Sequence, residues 1–379
     1  MASSSPSGVI DIDPSGDLVL SVGEVFEPKS APETQAVTTK KRAPKPKLMR
    51  VSSKHLTLAS PVFNVMLNGG FHEGQLQLNK DNPPVLELPD DDAQGMLTLC
   101  CILHHHPDAL SFVMLDGVLE VARICDKYGC QPVGKSWFHH QLLQRGRSWL
   151  TLTPSRLGLL VQAALTFDDF DIFYLSTTAA LRKFSGRMLL QVVAALDDTV
   201  PEGFFTHLRT VQIELLNMLS SKCQEVTGEL IKVRSSKTDH RNASVSWDGN
   251  EVKLPDVCVG QAKRSGKLIA ALCAVELWGK VKRGYDNVSI ENAIDAVANI
   301  AATVDEGNSC ANRERCESCQ MSWKNTIVEM LEEFREQIYG ICLECIKNMD
   351  NEHLYGMIGS RCCRHRAPAK VLMTHALEG

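Results

Sequence analysis

Seven of the chain's 14 cysteines fall after residue 309: Cys310, Cys316, Cys319, Cys342, Cys345, Cys362 and Cys363, with His365 close behind. Thiolate and imidazole are the ligands that tetrahedral zinc prefers, and a Cys-x-x-Cys turn can place two sulfurs on one ion. Cys316/Cys319 and Cys342/Cys345 are two such pairs, separated by twenty-two residues, which is close to a zinc spacing. The segment between them bears on whether they can meet. Ser322–Met349 reads as one helix, with Trp323, Ile327, Met330, Leu331, Phe334, Ile338, Ile341 and Leu343 on its apolar face. Cys319 and Cys342 would then lie roughly 30 Å apart at about 1.5 Å per residue, too far to share an ion. Two ligand sets survive this geometry. Cys342, Cys345, Cys362 and His365 could close around one structural zinc, or Cys362, Cys363 or His365 could join Cys316 and Cys319. Cysteines packed as small hydrophobes, and thiol redox chemistry, stay open as alternatives. No acid or base lies near enough in sequence to suggest a catalytic metal.

Other residues with chemical potential read as structural. Three consecutive histidines, His104 to His106, point about 100° apart on a helix and suit its C-terminal end before Pro107. Asp90-Asp91-Asp92 follows Pro89 and reads as a turn and an acidic helix start. His139-His140 and Asp168-Asp169 have no spacing that implies catalysis. The chain has no P-loop, no Gly-x-Gly-x-x-Gly, no Gly-x-Ser-x-Gly and no His-Glu-x-x-His. These absences point away from an enzyme, and no small-molecule substrate is expected.

The elements that would position these residues change character along the chain. Asp17–Val22, Leu48–Val51 and Val85–Leu88 read as short strands. Ser52 or Ser53 can cap a helix carrying Leu56, Leu58, Val62, Phe63, Met66 and Leu67. Further helices carry Met96–Leu103, Val118–Tyr128 and Gly134–Leu150. Leu157–Leu165, Phe170–Phe184, Met188–Leu196, Phe204–Val233, Gln261–Val281 and Ser289–Val304 continue the helical period. Polar Ser235–Asn250 reads as a loop, and no strand is expected after Val85–Leu88. Residues 1–16 are Ser-, Pro- and Gly-rich and read as disordered. Glu24–Lys47 reads as a flexible insertion between the first two strands, with five positive charges over residues 40–47. That run suggests either a nuclear-import tag or a solvated basic loop.

Strand, helix, strand, helix, helix in this order resembles the BTB (POZ) domain, in the divergent form found in filamentous fungi. Lys54-His55-Leu56-Thr57-Leu58-Ala59-Ser60-Pro61-Val62-Phe63 is similar to the family's His-Lys-x-x-Leu-x-x-x-Ser-x-x-Phe signature, and Leu119–Cys130 resembles a later helix of the family. The resemblance covers roughly the first 150 residues. It implies an α+β BTB domain over 17–150, a small sheet flanked by helices. A mostly α-helical C-terminal region follows, divided here into 151–305 and a cysteine-rich segment at 306–379. Related fungal proteins also look similar around the Cys-x-x-Cys pairs and the late Cys-His. What the resemblance implies is an adaptor that binds protein partners, another BTB domain or a cullin-type ubiquitin-ligase scaffold, without catalysis. The apolar-x-Glu element of many cullin binders is absent from Asp92–Leu103, and residues 1–16 offer no helix for dimerisation by exchange.

Bulk properties bound the alternatives. A net charge of -5 and 44% hydrophobic residues fit a globular chain and give no overall attraction to nucleic acid. No apolar run approaches the roughly 18 residues that span a bilayer. With no signal-like start, the expectation is an intracellular protein, cytoplasmic and/or nuclear, with largely reduced thiols. A nuclear transcription-associated regulator with a structural zinc is the alternative class.

Overall fold

A computed structural model of the 379-residue chain describes residues 8–23, 46–111, 113–145, 152–196, 200–201, 203–232, 244–247, 250–253, 259–278, 286–306 and 320–347. The architecture is α+β. A small mixed sheet stands at the N-terminus and a mostly helical region follows. Two compact units divide the chain, residues 1–173 and 174–379.

The sheet of the first unit has the order β1-β3-β2-β4, built from β1 (Val9–Asp11), β2 (Leu18–Val22), β3 (Lys47–Val51) and β4 (Val85–Leu88). β2 is central and buried along its whole length, antiparallel to β3 and parallel to β4. The three expected strands are present. β1 is an addition, paired parallel to β3 from Val9↔Leu48 to Asp11↔Arg50, in a segment whose composition reads as disordered. Val9, Ile10 and Ile12 give it β-branched side chains that the Ser/Pro/Gly count conceals, and Ile12 is buried. No helix occurs among the described residues before β2.

The single helix expected after β3 is two: α1 (Ser53–Ala59) and α2 (Pro61–Asn68). Pro61 is the cause. It lacks an N–H and pushes the preceding residue out of helical geometry, and Ser60 is extended at φ -127, ψ 116. Ser60 then caps α2, its hydroxyl accepting from the Phe63 N–H at 3.0 Å. α3 (Ala93–Leu103) begins at Asp92, whose carboxylate accepts from the N–H groups of Gln94 and Gly95. α4 (Leu115–Lys127), α5 (Gln131–Arg145) and α6 (Pro154–Thr166) complete the helices of this unit. α7 (Phe170–Lys183) begins in it.

Close packing of α5 rests on a missing side chain. A Cβ at Gly134 would stand 2.5 Å from Cys125 Sγ and 2.6 Å from a Phe167 ring carbon. Gly134→Ala should gain helix propensity yet destabilise the protein by about 1–3 kcal/mol through overpacking. A urea titration reads this directly, and an unchanged or higher midpoint would refute it.

The second unit holds α8 (Gly186–Val193), α9 (Phe204–Lys232), α10 (Val259–Ala274), α11 (Ile290–Val304), α12 (Trp323–Glu336) and α13 (Leu343–Lys347). Side-chain bonds fix their directions. Ser220 donates to Leu277 O and Gln261 to Leu230 O, so α10 runs antiparallel to α9. Lys267 donates to Thr303 O and Arg264 to Asp305, so α11 runs antiparallel to α10. α12 turns back from Asp305 along α11.

Two expectations fail in this unit. Ser244–Trp247 (β5) and Asn250–Lys253 (β6) form an antiparallel hairpin where a polar loop and no further strand were expected. Val245 and Val252 pair across it. The helix expected over Ser322–Met349 also stops, at Glu336. Ile338, Ile341, Leu343 and Ile346 are all buried although the helix does not continue through them. Gly340 lies against the Tyr174 carbonyl with no room for a Cβ, and the Ile341 N–H donates to Thr177 Oγ1 at 3.0 Å. Packing decides the break, outweighing a propensity difference of about 1 kcal/mol.

Candidate functional site

The residues that carry the family resemblance meet one another in the interior of the first unit. Ser60, Phe63 and Tyr128 come from α2, its cap and the end of α4. The Ser60 hydroxyl donates to Tyr128 O at 2.6 Å, and the Phe63 and Tyr128 rings stack with centroids 4.3 Å apart. The Tyr128 hydroxyl donates to Asp91 Oδ2 at 2.6 Å, while Lys127 Nζ donates to Asp91 Oδ1 at 2.6 Å. Asp91 is therefore a buried, doubly bonded carboxylate, whereas Asp92 alone caps the helix. The sequence reading treated the three aspartates as one turn and missed this division. Burial, with Asp91 accepting its hydrogen bond, pushes the Tyr128 phenol far above its ordinary range. Such a phenol stays protonated. The cluster is a fastening, with no group placed to react.

A second pair was also missed. His139 on α5 bonds Asp169 Oδ2, and Asp169 Oδ1 accepts from Ile172 N–H at the start of α7. The Asp169 bond raises the His139 pKa. Burial opposes ionisation of Asp169, but the bonds from His139 and Ile172 outweigh it and hold the carboxyl below its usual range. Thirty residues separate the two, so only tertiary structure could bring them together. They clasp α5 to the start of α7.

The histidine run behaves as a helix end, with His104 at the C-cap of α3. His104 also does something sequence could not show. Its ring reaches the start of α1, where Nε2 accepts from the Ser52 N–H at 2.9 Å and Nδ1 lies 2.8 Å from Cys100 O. Asp17 bonds the next residue, accepting from both the Ser53 N–H and its hydroxyl at 2.8 Å. Neither Ser52 nor Ser53 caps α1 with its own side chain, so the cap comes from elsewhere in the chain. Asp13, His55 and His104 form the one metal-like grouping among the described residues, with ligand atoms within 4.8 Å of one another. Both His104 nitrogens are already committed to backbone groups, which leaves that grouping without a preformed ligand triad.

Of the six expected zinc ligands, Cys316, Cys319, Cys362 and His365 lie outside the described residues, as does the side chain of Cys345. Cys342 is buried just after the Gly340 turn. Asp305 adjoins Glu306, the last described residue before Gln320, and it bonds Ser322, Trp323 and Lys324 at the start of α12, where Arg264 also lies. From there α12 rises about 20 Å to Glu336 before the turn at Gly340. Cys342 follows beside Thr177, not beside Arg264. The corrected helix thus puts Cys342 at the end of α12 away from Asp305.

Four buried thiols elsewhere among the described residues are inert. Burial raises Cys101 to about 11 and Cys223 to about 12, and pushes Cys100 and Cys125 higher still. At neutral pH these keep their protons and are poor nucleophiles.

Apolar side chains of the α1–α2 region face outward. Leu58 on α1 is 76% exposed, Val65 on α2 55% and Phe71 just after α2 58%, and Val62 on α2 is exposed too. The residues buried from the same helices are Leu56, Phe63 and Leu67, so the outward set is a second apolar face on a helix pair whose core face is already filled. No helix among the described residues is long and apolar enough to cross a membrane.

No family model matches the chain, and no curated protein or solved structure gives a match either.

Proposed function

We propose that the protein is an adaptor of BTB type, which works by burying apolar surface against a protein partner and carries out no chemistry. The observation that supports this reading is the exposure of Leu58 on α1, Val62 and Val65 on α2 and Phe71 just after it. Its order of strands and helices agrees with the expected element order. The interlocked Ser60, Phe63 and Tyr128 give the resembling residues a shared structural reason. A structural zinc in the cysteine-rich region remains part of the proposal. Its ligands would be drawn from one end of α12 only.

The double substitution Leu58→Asp, Val65→Asp tests the adaptor reading. Both side chains are exposed, so folding should change little, by about 0.5 kcal/mol or less at each position. Affinity capture with cross-linking should lose its partners from the variant while the circular dichroism spectrum stays the same. An unchanged set of captured proteins would refute the role of this face. Zinc content of protein purified without added metal tests the second element, and metal-free protein that folds normally would remove it.

A further inference from the structure

We infer that His104 is an acid-sensitive latch on the start of α1, which lets go of Ser52 when the imidazole gains a second proton. The donor and acceptor roles follow from chemistry. Cys100 O can only accept, so Nδ1 must carry the hydrogen of that 2.8 Å contact. Nε2 is then the bare nitrogen, and the Ser52 N–H donates to it at 2.9 Å. An incoming proton has only Nε2 to occupy. There it faces the Ser52 N–H, two donors with no acceptor between them, and the bond is lost.

The neighbours set the direction of the response. His55 on α1 has its ring centroid 4.8 Å from that of His104, and positive charge there opposes protonation of His104. Asp13, in the turn after β1, belongs to the same cluster and offers the charged ring a carboxylate once Ser52 has been released. Asp17 holds Ser53 independently, and its carboxyl lies below the usual range because the two Ser53 bonds outweigh the opposing effect of burial. The opening is therefore confined to the first residue of the cap. Burial lowers the His104 pKa, outweighing the bonds and the Asp13 charge that favour protonation. With the folded value below the unfolded one, the latch contributes fully above the ordinary histidine pKa. Its contribution is lost as pH falls below about 6.5. The latch is independent of whether the α1–α2 face binds a partner.

The test is a pH titration of the full chain by NMR between pH 8 and 5, following the histidine ring signals and the exchange of individual backbone amides. His104 should titrate below about 6.5. Protection of the Ser52 amide, corrected for intrinsic exchange, should fall about tenfold or more while Ser53 stays protected, a change equivalent to about 1.4 kcal/mol. In His104→Gln, whose side-chain carbonyl can accept without titrating, Ser52 protection should not vary with pH. A His104 titration at or above the ordinary value, or Ser52 protection flat in the natural chain, would overturn the latch. So would a zinc titration at neutral pH that shifts His55 and His104 together, since it would make the cluster a metal site. The ring titration of the natural chain decides the matter even if the Gln variant folds poorly.

Discussion

Phe63→Ala is expected to destabilise the protein by about 3–5 kcal/mol, the range for truncating a fully buried aromatic side chain. Phe63 is 0% exposed and stacks on Tyr128, and Ser60, which caps its helix, also bonds Tyr128 O. Truncation leaves a cavity at the one place where α2, the end of α4 and, through Asp91, the start of α3 converge. The cavity also removes a face of the Tyr128 ring, whose hydroxyl is fixed on Asp91. A guanidinium titration measures the loss, and Val62→Ala on the opposite face supplies the comparison at about 0.5 kcal/mol or less. A cost below about 1 kcal/mol for Phe63→Ala would mean that the cluster does not hold these helices together.

The second large effect is expected at Asp305. Arg264 is 3% exposed at its side chain, and its guanidinium lies over the Trp323 ring at 4.8 Å while Nη1 donates to Asp305 and to Met321 O. The Asp305 carboxylate also accepts from the N–H groups of Trp323 and Lys324 and from the Ser322 hydroxyl. Asp305→Ala thus takes the carboxylate from a buried cation and removes a cap from α12. Breaking such a pair costs about 3–5 kcal/mol, and the partial exposure of Asp305 places the expectation near the lower figure. Asp305→Asn should recover part of it, since the amide oxygen still accepts from the helix N–H groups. Thermal denaturation of the three proteins gives the order natural, Asn, Ala. An Ala variant equal to the natural protein would contradict this account of the α11–α12 junction.

Sequence made the regular parts of this chain legible where one local rule governed them. β2, β3 and β4 lie where β-branched and apolar runs placed them, and α9, with Leu208, Leu215 and Leu219 buried, follows its 3.6-residue stripe. Misreadings arose where two rules competed. Pro61 divides a continuous apolar stripe into α1 and α2, and the burial of Ile338, Ile341 and Ile346 around Gly340 ends α12 against its own helical pattern. The site residues were less legible still. His104 with Ser52, His139 with Asp169, and Asp91 with Tyr128 are separated by thirty or more residues. No spacing rule connects partners that only the packed helices bring together.

The junction at Asp305 has a practical consequence for engineering. Glu306 follows this carboxylate in the chain, and Ser322 and Lys324 bond it, so the described residues on either side of 307–319 are fixed by contacts that do not depend on the number of residues between them. An epitope or fluorescent label inserted there should therefore leave the helices on either side in register, giving a handle on the cysteine-rich region without touching the apolar face.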